Sequence, residues 1–366
     1  MIKLENATKK YGGVAAVDSL SLEVNKGDVC VLIGPSGCGK STVIKMINRM
    51  LEPTSGSIYI DGKNVNSFKP EILRRQIGYV IQSTGLFPHM TVGQNVAVVP
   101  VLLAWDKNKI AVRVDELLQL IGLEPEKYKN KYPHELSGGE AQRVGVARAL
   151  AADPKILLMD EPFGAVDPLN KEKLHAEFVR IQKELKKTVV FVTHFIDEAI
   201  RLADRIAVMK SGKLVQYDTP ETLLAYPANE FIHDFIGADR SLKRLLRFYA
   251  KHFMKPANSS NVSTGLDRTR AGFDREGFIW MVGVDGKLLG WTDTGRALSS
   301  PTVEEAIAAS NPAELAVKPE ATLEVALSKM LGLGLKRVAV VDEDFKLLGE
   351  VRLEDIEKVT HNGESA

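Results

Sequence analysis

Cysteine is almost missing from this chain, which carries only Cys30 and Cys38. Two thiols cannot build a disulfide framework, so the pattern points to a reducing compartment. Long apolar stretches are missing as well. No uninterrupted run reaches the roughly 18 residues of a membrane-spanning helix, and the N-terminal MIKLENATKKYGG has no apolar signal-peptide core. Charge of one sign is not in excess either. Lys and Arg number 48 against 47 Asp and Glu, a net +1 that excludes a wholesale nucleic-acid binder while leaving room for local patches. What is present, 45% hydrophobic and 26% charged residues, is the composition of a globular protein expected in the cytoplasm. Any work at a membrane would be borrowed from a partner. The 366 residues exceed one ordinary core and predict two domains.

The first part of the chain reads as α/β. GDVCVLIG (Gly27 to Gly34) is a short apolar run ending in a glycine loop, and KSTVIKMINRM follows it: strand, loop, helix. KILLMD (Lys155 to Asp160), TVVFVTH (Thr188 to His194) and RIAVMK (Arg205 to Lys210) are comparable buried-strand runs. Helical patterns lie between them, which predicts a mostly parallel sheet. From about Glu71 to Leu150 the pattern turns helix-rich, as in KIAVRVDELLQLIGL, and reads as a helical insertion whose subdomain spans about 85–150.

GPSGCGKST fits the phosphate-binding loop pattern in full. Gly34, Gly37 and Gly39 let the backbone wrap around phosphates, with Ser36, Cys38 and Thr42 completing the set. Lys40 brings a positive charge to the β- and γ-phosphates, and the Ser41 hydroxyl can ligate Mg²⁺. ILLMDEP supplies the other half of a nucleotide triphosphatase site. Asp160 ends an apolar run where it can hold the metal's water shell, and Glu161 can take the proton of an attacking water. About a hundred residues after the first loop, LSGGEAQR (Leu136 to Arg143) presents a serine and two glycines at the opening of a helix, a second anion-attracting device.

The joint set GPSGCGKST, LSGGEAQR and ILLMDEPFGAVDP resembles the ATP-binding subunit of ABC transporters over residues 1 to about 236. The resemblance implies a P-loop NTPase fold of the ABC ATPase kind, with ATP and Mg²⁺ as cofactors. It explains the two cradles: in that family two copies pack head to tail, so Ser137, Gly138 and Gly139 of one copy cover the γ-phosphate of ATP held by the other. By the same resemblance Tyr11 stacks on adenine, and Gln82 reaches Mg²⁺ and the attacking water. Asp167 links the two sites, while His194 orients γ-phosphate and water. Val166 stands where the family more often has leucine. The implied partners are a second copy, transmembrane permease subunits and, through the complex, an extracytoplasmic solute-binding protein, with no nucleic acid. The implied location is peripheral, on the cytoplasmic face of the inner (cell) membrane.

Beyond residue 236 the composition shifts. RSLKRLLRFYAKHFMK predicts a basic linker helix over 237–258, with Arg240, Lys243, Arg244, Arg247, Lys251 and Lys255 opposite Leu242, Leu245, Leu246, Tyr249 and Phe253. Such a face is either solvated or a salt-sensitive contact for anionic lipid or an acidic partner. PANSSNVSTG reads as a linker. KLLG then recurs roughly 60 residues apart, within VGVDGKLLGWTD and VAVVDEDFKLLGEVRLED, which suggests two copies of one supersecondary unit. The second copy resembles a CBS motif and the first a degenerate one, so 259–366 is expected to be a smaller α+β CBS-pair regulatory domain. Gly349 and Asp355 match the ribose-binding pattern of such motifs, but Arg352 replaces its threonine; after Gly290 the two polar positions are Asp293 and Arg296. A cyclic dinucleotide, an adenine nucleotide, ionic strength and a purely dimerising role all stay open for it. An ABC ATPase followed by a CBS pair resembles importers of compatible solutes such as glycine betaine, carnitine, choline and proline, with ergothioneine and other betaine-like molecules as competitors. The other class, a soluble ABC ATPase of DNA repair or translation, is disfavoured because each motif occurs once, on one short domain. No NKxD marks a GTPase.

Overall fold

The computed structural model of the protein describes residues 1–81, 85–164, 168–265, 269–270, 272–274, 276–308 and 311–361, and within its helices not the side chains of 168–170, 172–173 and 361. Gln82 and Asp167 therefore lie outside the described residues. The chain divides into two units, Met1–Ala238 and Asp239–Ala366.

In the first unit the strands are β1 (Ile2–Tyr11), β2 (Val14–Val24), β3 (Val29–Ile33), β4 (Ser55–Ile60), β5 (Lys63–Asn64), β6 (Ile77–Val80), β7 (Ile156–Asp160), β8 (Thr188–Val192), β9 (Arg205–Lys210) and β10 (Lys213–Asp218). They form two sheets, a four-stranded one in the order β2-β1-β4-β5 and a six-stranded one in the order β10-β9-β3-β8-β7-β6. In the larger sheet β9, β3, β8, β7 and β6 run parallel, and only β10 is antiparallel. VCVLI of β3 and TVVFV of β8 are buried at every residue. That is the mark of parallel strands covered on both faces, and it is why the sequence shows unbroken apolar runs. β2 instead alternates between buried and exposed along its second half, as a strand with one covered face must.

Helix α1 (Lys40–Ile47) leaves the glycine loop after β3 and buries Val43, Ile44, Met46 and Ile47. Between β6 and β7 lie the helices of the insertion, α2 (Val92–Leu102), α3 (Lys107–Leu120) and α4 (Gly138–Leu150). The helix-rich reading from Glu71 onward missed β6, a four-residue strand paired in parallel with β7. It is too short for its period to show. These three helices each start on a side-chain cap: Thr91 with Gln94, Asp106 onto the N–H groups of Asn108 and Lys109, and Ser137 with Glu140. The last cap has an extra partner. Glu140 accepts hydrogen bonds from the Ser137 N–H at 2.8 Å and hydroxyl at 2.9 Å, and from the Tyr128 hydroxyl at 2.7 Å. The Tyr128 bond first, then those from Ser137, hold the Glu140 carboxyl at about 2. α5 (Pro168–Leu185) follows β7, and α6 (Ile196–Leu202) follows β8.

The second unit shows its repeat in the strand pairing. β11 (Ser259–Asn261), β12 (Phe278–Val282) and β13 (Leu288–Asp293) make one sheet, and β14 (Ala316–Val317), β15 (Arg337–Val341) and β16 (Leu347–Arg352) another. In both, the first pair is parallel and the second antiparallel. Helices α7 (Leu323–Leu333) and α8 (Leu353–His361) belong to the second repeat. The shared KLLG is the seam between the halves. Lys287 and Lys346 face each other in an antiparallel bridge, Leu288 N–H donates to the Phe345 carbonyl at 2.9 Å, and Leu347 N–H donates to the Gly286 carbonyl at 3.1 Å. A charged network crosses the same junction. Fully buried Glu350 accepts from the Trp280 indole N–H at 2.7 Å and from Arg352 Nε at 2.6 Å. Arg337, 3% exposed, lies 3.5 Å from Glu350, donates to Asp274 at 2.6 Å and to Glu276, and stacks on Phe278.

Two expectations for this region are corrected. The segment 237–258 is not one linker helix: it is a turn at Arg240–Lys243, a 3₁₀ turn at Arg244–Arg247 and a turn at Ala250–Phe253. Phe248 and Tyr249 between them are extended, because Tyr249 bridges to Thr322 and Leu245 and Ala250 are buried with Leu323 and Ala326. Packing of those apolar residues overrides the helical spacing. The basic residues are also partly tied down, Lys243 on Asp239 and Lys255 on Asp355, so the continuous solvated face does not form. PANSSNVSTG is likewise no free linker, since Ser259–Asn261 is the parallel edge strand β11.

These contacts have two measurable consequences. Tyr128→Phe raises the Glu140 pKa from about 2 toward the ordinary carboxylate range, read by NMR titration of the carboxyl. The cap's contribution is present above the unfolded carboxylate pKa and is lost as pH falls toward the folded one, so the variant loses it at a higher pH. Glu350→Ala strands the buried Arg337 and Trp280 groups and costs about 3 kcal/mol, seen in denaturant unfolding of the full chain.

Candidate functional site

Strand register brings three loops to one edge of the large sheet. β8 lies between β3 and β7, with Leu32 and Asp160 both opposite Val192. Past the strand ends the Glu161 N–H donates to the Val192 carbonyl at 3.0 Å, and the Thr193 N–H donates to the Leu32 carbonyl at 3.2 Å. The glycine loop, the Asp160–Glu161 corner and His194 therefore leave side by side from the carboxyl ends of neighbouring parallel strands, the usual ligand crevice of such sheets.

The loop's glycines are required for different reasons. A Cβ on Gly34 would stand 2.1 Å from the Met209 carbonyl oxygen, and one on Gly39 would stand 2.3 Å from that of Ala16. Gly37 meets nothing, but its φ of +77° disfavours any side chain. Lys40 is 7% exposed, and its ammonium donates to the carbonyls of Gly34 at 2.7 Å and Pro35 at 3.0 Å. It is held over the loop, where phosphate oxygens can take the place of those carbonyls. The Ser41 hydroxyl donates to Asp160 Oδ1 at 2.9 Å, joining the two oxygens expected near a divalent cation. No cluster of three His, Cys, Asp or Glu among the described residues could hold a metal unaided. A Mg²⁺ fits this pair only with phosphate and water oxygens completing its shell, which is how that ion is commonly bound beside nucleotides.

Glu161 has a φ of +48°, an uncommon backbone state for a residue with a side chain, and His194 Nδ1 lies 3.5 Å from its Oε1. The pair can hold a water and take its proton. Ser36 is exposed, while Cys38 is buried with its thiol 3.7 Å from the Lys40 ammonium; Thr42 is half-buried. Tyr11, at the end of β1, is 49% exposed with Lys9 over its ring.

Ser137, Gly138 and Gly139 are not part of this cluster: no described hydrogen bond or ion pair joins them to the loop. Ser137 and Gly138 are exposed, and a Cβ on Gly139 would meet nothing within 4 Å. Among the described residues, no helix is long and apolar enough to cross a membrane. In the second unit the two residues matching a ribose pattern are already used. Met254 and the Lys255 carbonyl lie on Gly349, where a Cβ would stand 2.4 and 2.5 Å from them, and the Asp355 carboxylate takes Lys255 at 2.7 Å and Lys358 at 3.2 Å. Sequence reading missed the Met209 and Ala16 carbonyls that compel the glycines, because neither carries a side-chain signal.

Known proteins resemble this chain. The family model described as "ABC transporter" matches residues 17–164, and that described as "CBS domain" matches 303–361, the second repeat. The osmoprotectant import ATP-binding protein OsmV of Salmonella typhimurium is 45% identical over 96% of this chain and 94% of its own. The glycine betaine/carnitine/choline transport ATP-binding protein OpuCA of Bacillus subtilis has the same identity and coverage. Among solved structures, the dimeric MJ0796, described as a bacterial ABC transporter cassette, is 37% identical over 60% of this chain and 99% of its own, with a TM-score of 0.55. The chain belongs to the family of ABC transporter ATP-binding proteins, with a CBS domain at its C-terminal end.

Proposed function

We propose that this chain is the ATP-hydrolysing subunit of an importer for compatible solutes such as glycine betaine, carnitine, choline or proline. The observation that carries the ATPase reading is the joining of Ser41 to Asp160 beside Glu161 and His194, at the mouth of a loop in which a Cβ on Gly34 or Gly39 would meet backbone oxygen. The solute class rests on OsmV and OpuCA, whose similarity runs through the second unit as well as the first. Mg²⁺, when bound, neutralises phosphate charge. The chain's own residues do the rest. Backbone N–H groups of the loop and Lys40 hold the phosphates and steady the charge of the transferring group. Tyr11 offers an exposed ring to the base, and Ser36, Cys38 and Thr42 belong to the same binding set. Glu161 receives the proton of the attacking water, and His194 orients it, with Gln82 and Asp167 assigned by family resemblance to the same site.

Gly139 favours a two-copy site. It is the second residue of α4, and no described residue comes within 4 Å of where its Cβ would stand. A close-approaching surface from a second copy accounts for it, and the related cassette MJ0796 is described as dimeric. The permease subunits and solute-binding protein of an importer are further partners, which puts the chain peripherally on the cytoplasmic face of the cell membrane.

Glu161→Gln should bind ATP and pair, while hydrolysis falls by about a hundredfold or more. Size-exclusion chromatography with and without ATP, beside a phosphate-release assay, checks both; no ATP-dependent dimer of the variant removes the shared-site reading. In the reconstituted complex, glycine betaine, carnitine, choline or proline should raise phosphate release severalfold above the solute-free rate. A response only to ergothioneine, or to none, overturns the solute assignment and leaves the ATPase reading standing.

A further inference from the structure

Behind the Glu161–His194 pair lies a buried ionic group that the proposed hydrolysis does not use. Glu198, on α6, is 3% exposed. A carboxylate so deep is costly unless it is paired and hydrogen-bonded. Its Oε2 accepts the Thr193 hydroxyl at 2.5 Å, and its Oε1 lies 2.5 Å from the Lys171 ammonium of α5 and 3.8 Å from His175 Nε2. Burial pushes the Glu198 carboxyl up, but the contacts with His175, Lys171 and Thr193 outweigh it and hold it below the usual carboxylate range.

The partners connect this group to the reacting residues. The Thr193 hydroxyl, while donating to Glu198, accepts the Phe195 N–H at 3.1 Å, so both neighbours of His194 are tied through one oxygen. The Thr193 N–H is fixed on β3 through Leu32. Lys171 also lies over the Phe195 ring at 3.5 Å, and that ring's centroid is 4.0 Å from that of His194. On the other side His175 meets the edge of Phe163, two residues after Glu161, at 4.7 Å. One carboxylate thus touches the groups that hold the histidine and, through His175, the turn just past the glutamate.

We propose that Glu198 is a positioning residue for hydrolysis, setting where His194 stands beside Glu161 by holding Thr193 and Lys171 together. This rests on the ATPase reading. Only the ionised form can accept the Thr193 hydroxyl and balance Lys171 at once. Glu198→Gln keeps the shape and deletes the charge, while Thr193→Val deletes the bridging hydroxyl. Either lowers kcat by about 10- to 100-fold, the scale of a small misplacement, and leaves the Kd for ATP within about twofold.

The test is the same change in two backgrounds. If Glu198 acts through His194, Glu198→Gln in a His194→Ala chain changes residual phosphate release by less than about twofold. An equal loss in both backgrounds, or a parallel loss of ATP affinity, shows a merely structural role and overturns the proposal. Should Glu198→Gln not fold, Thr193→Val carries the same comparison. A wild-type chain that fails to turn over ATP sinks the ATPase reading instead. The His194 ring resonances then decide: displaced in Thr193→Val or Glu198→Gln they support the positioning role, and unmoved they overturn it.

Discussion

The site depends on one constraint, the shared register of β3, β8 and β7. Because these strands are parallel and start nearly level, their carboxyl ends finish together, and two backbone hydrogen bonds beyond the last ladder rung hold Glu161 to Val192 and Thr193 to Leu32. A slip of one residue would turn every side chain of a strand to the other face and move Asp160 away from Ser41. The buried runs of β3 and β8 are therefore the part of the sequence that brings the site residues together, although every residue in them is buried.

Close backbone packing and an uncommon backbone state both occur where that register delivers the chain. Gly34 and Gly39 sit against backbone carbonyls, atoms that cannot rotate away as a side-chain end can. Glu161 takes a left-handed backbone state at the step where the strand ends. Lys40 is buried yet hydrogen-bonded to the loop's own carbonyls, so the loop keeps its shape through its cation. The helix opening at Ser137 follows a different logic. Its cap is satisfied within the chain by Glu140 and Tyr128, while Gly139 faces open space. The glycine loop is closed on itself by its lysine, while the helix opening keeps open space at Gly139.

Much of this was legible in the sequence, and the exceptions have physical causes. The runs that became β3, β7, β8 and β9 announced themselves by unbroken apolar residues, and the glycine loop by its spacing. The four-stranded antiparallel sheet was not read. β1 and β2 meet with three register shifts, so their alternation is interrupted wherever a bulge falls. β6 is four residues long, and β5 and β14 two each, below the length at which a period can be recognised. The expected linker helix failed for the opposite reason, a good local period overruled by tertiary packing of Leu245, Tyr249 and Ala250. Among the site residues, identity was visible and support was not: the carboxylate of Glu198 and the carbonyls of Met209 and Ala16 act through contacts that no motif spells out.

The second unit shows how a weak repeat can be more informative than a strong motif. KLLG is too short to define an activity, yet it marks the residues through which the two halves join backbone to backbone. Across the same junction Trp280 of the first half donates to Glu350 of the second. The ribose pattern, by contrast, is present in letters only. Gly349 is pressed by Met254 and the Lys255 carbonyl, and Asp355 is neutralised by two lysines. A nucleotide entering there would have to displace Lys255 from both its backbone pairing with Glu350 and its ion pair with Asp355. Lys255 closes a segment packed on the second repeat through Leu245 and Ala250, so that displacement would draw on the unit's own core. The geometry favours a structural use of these residues over ligand capture.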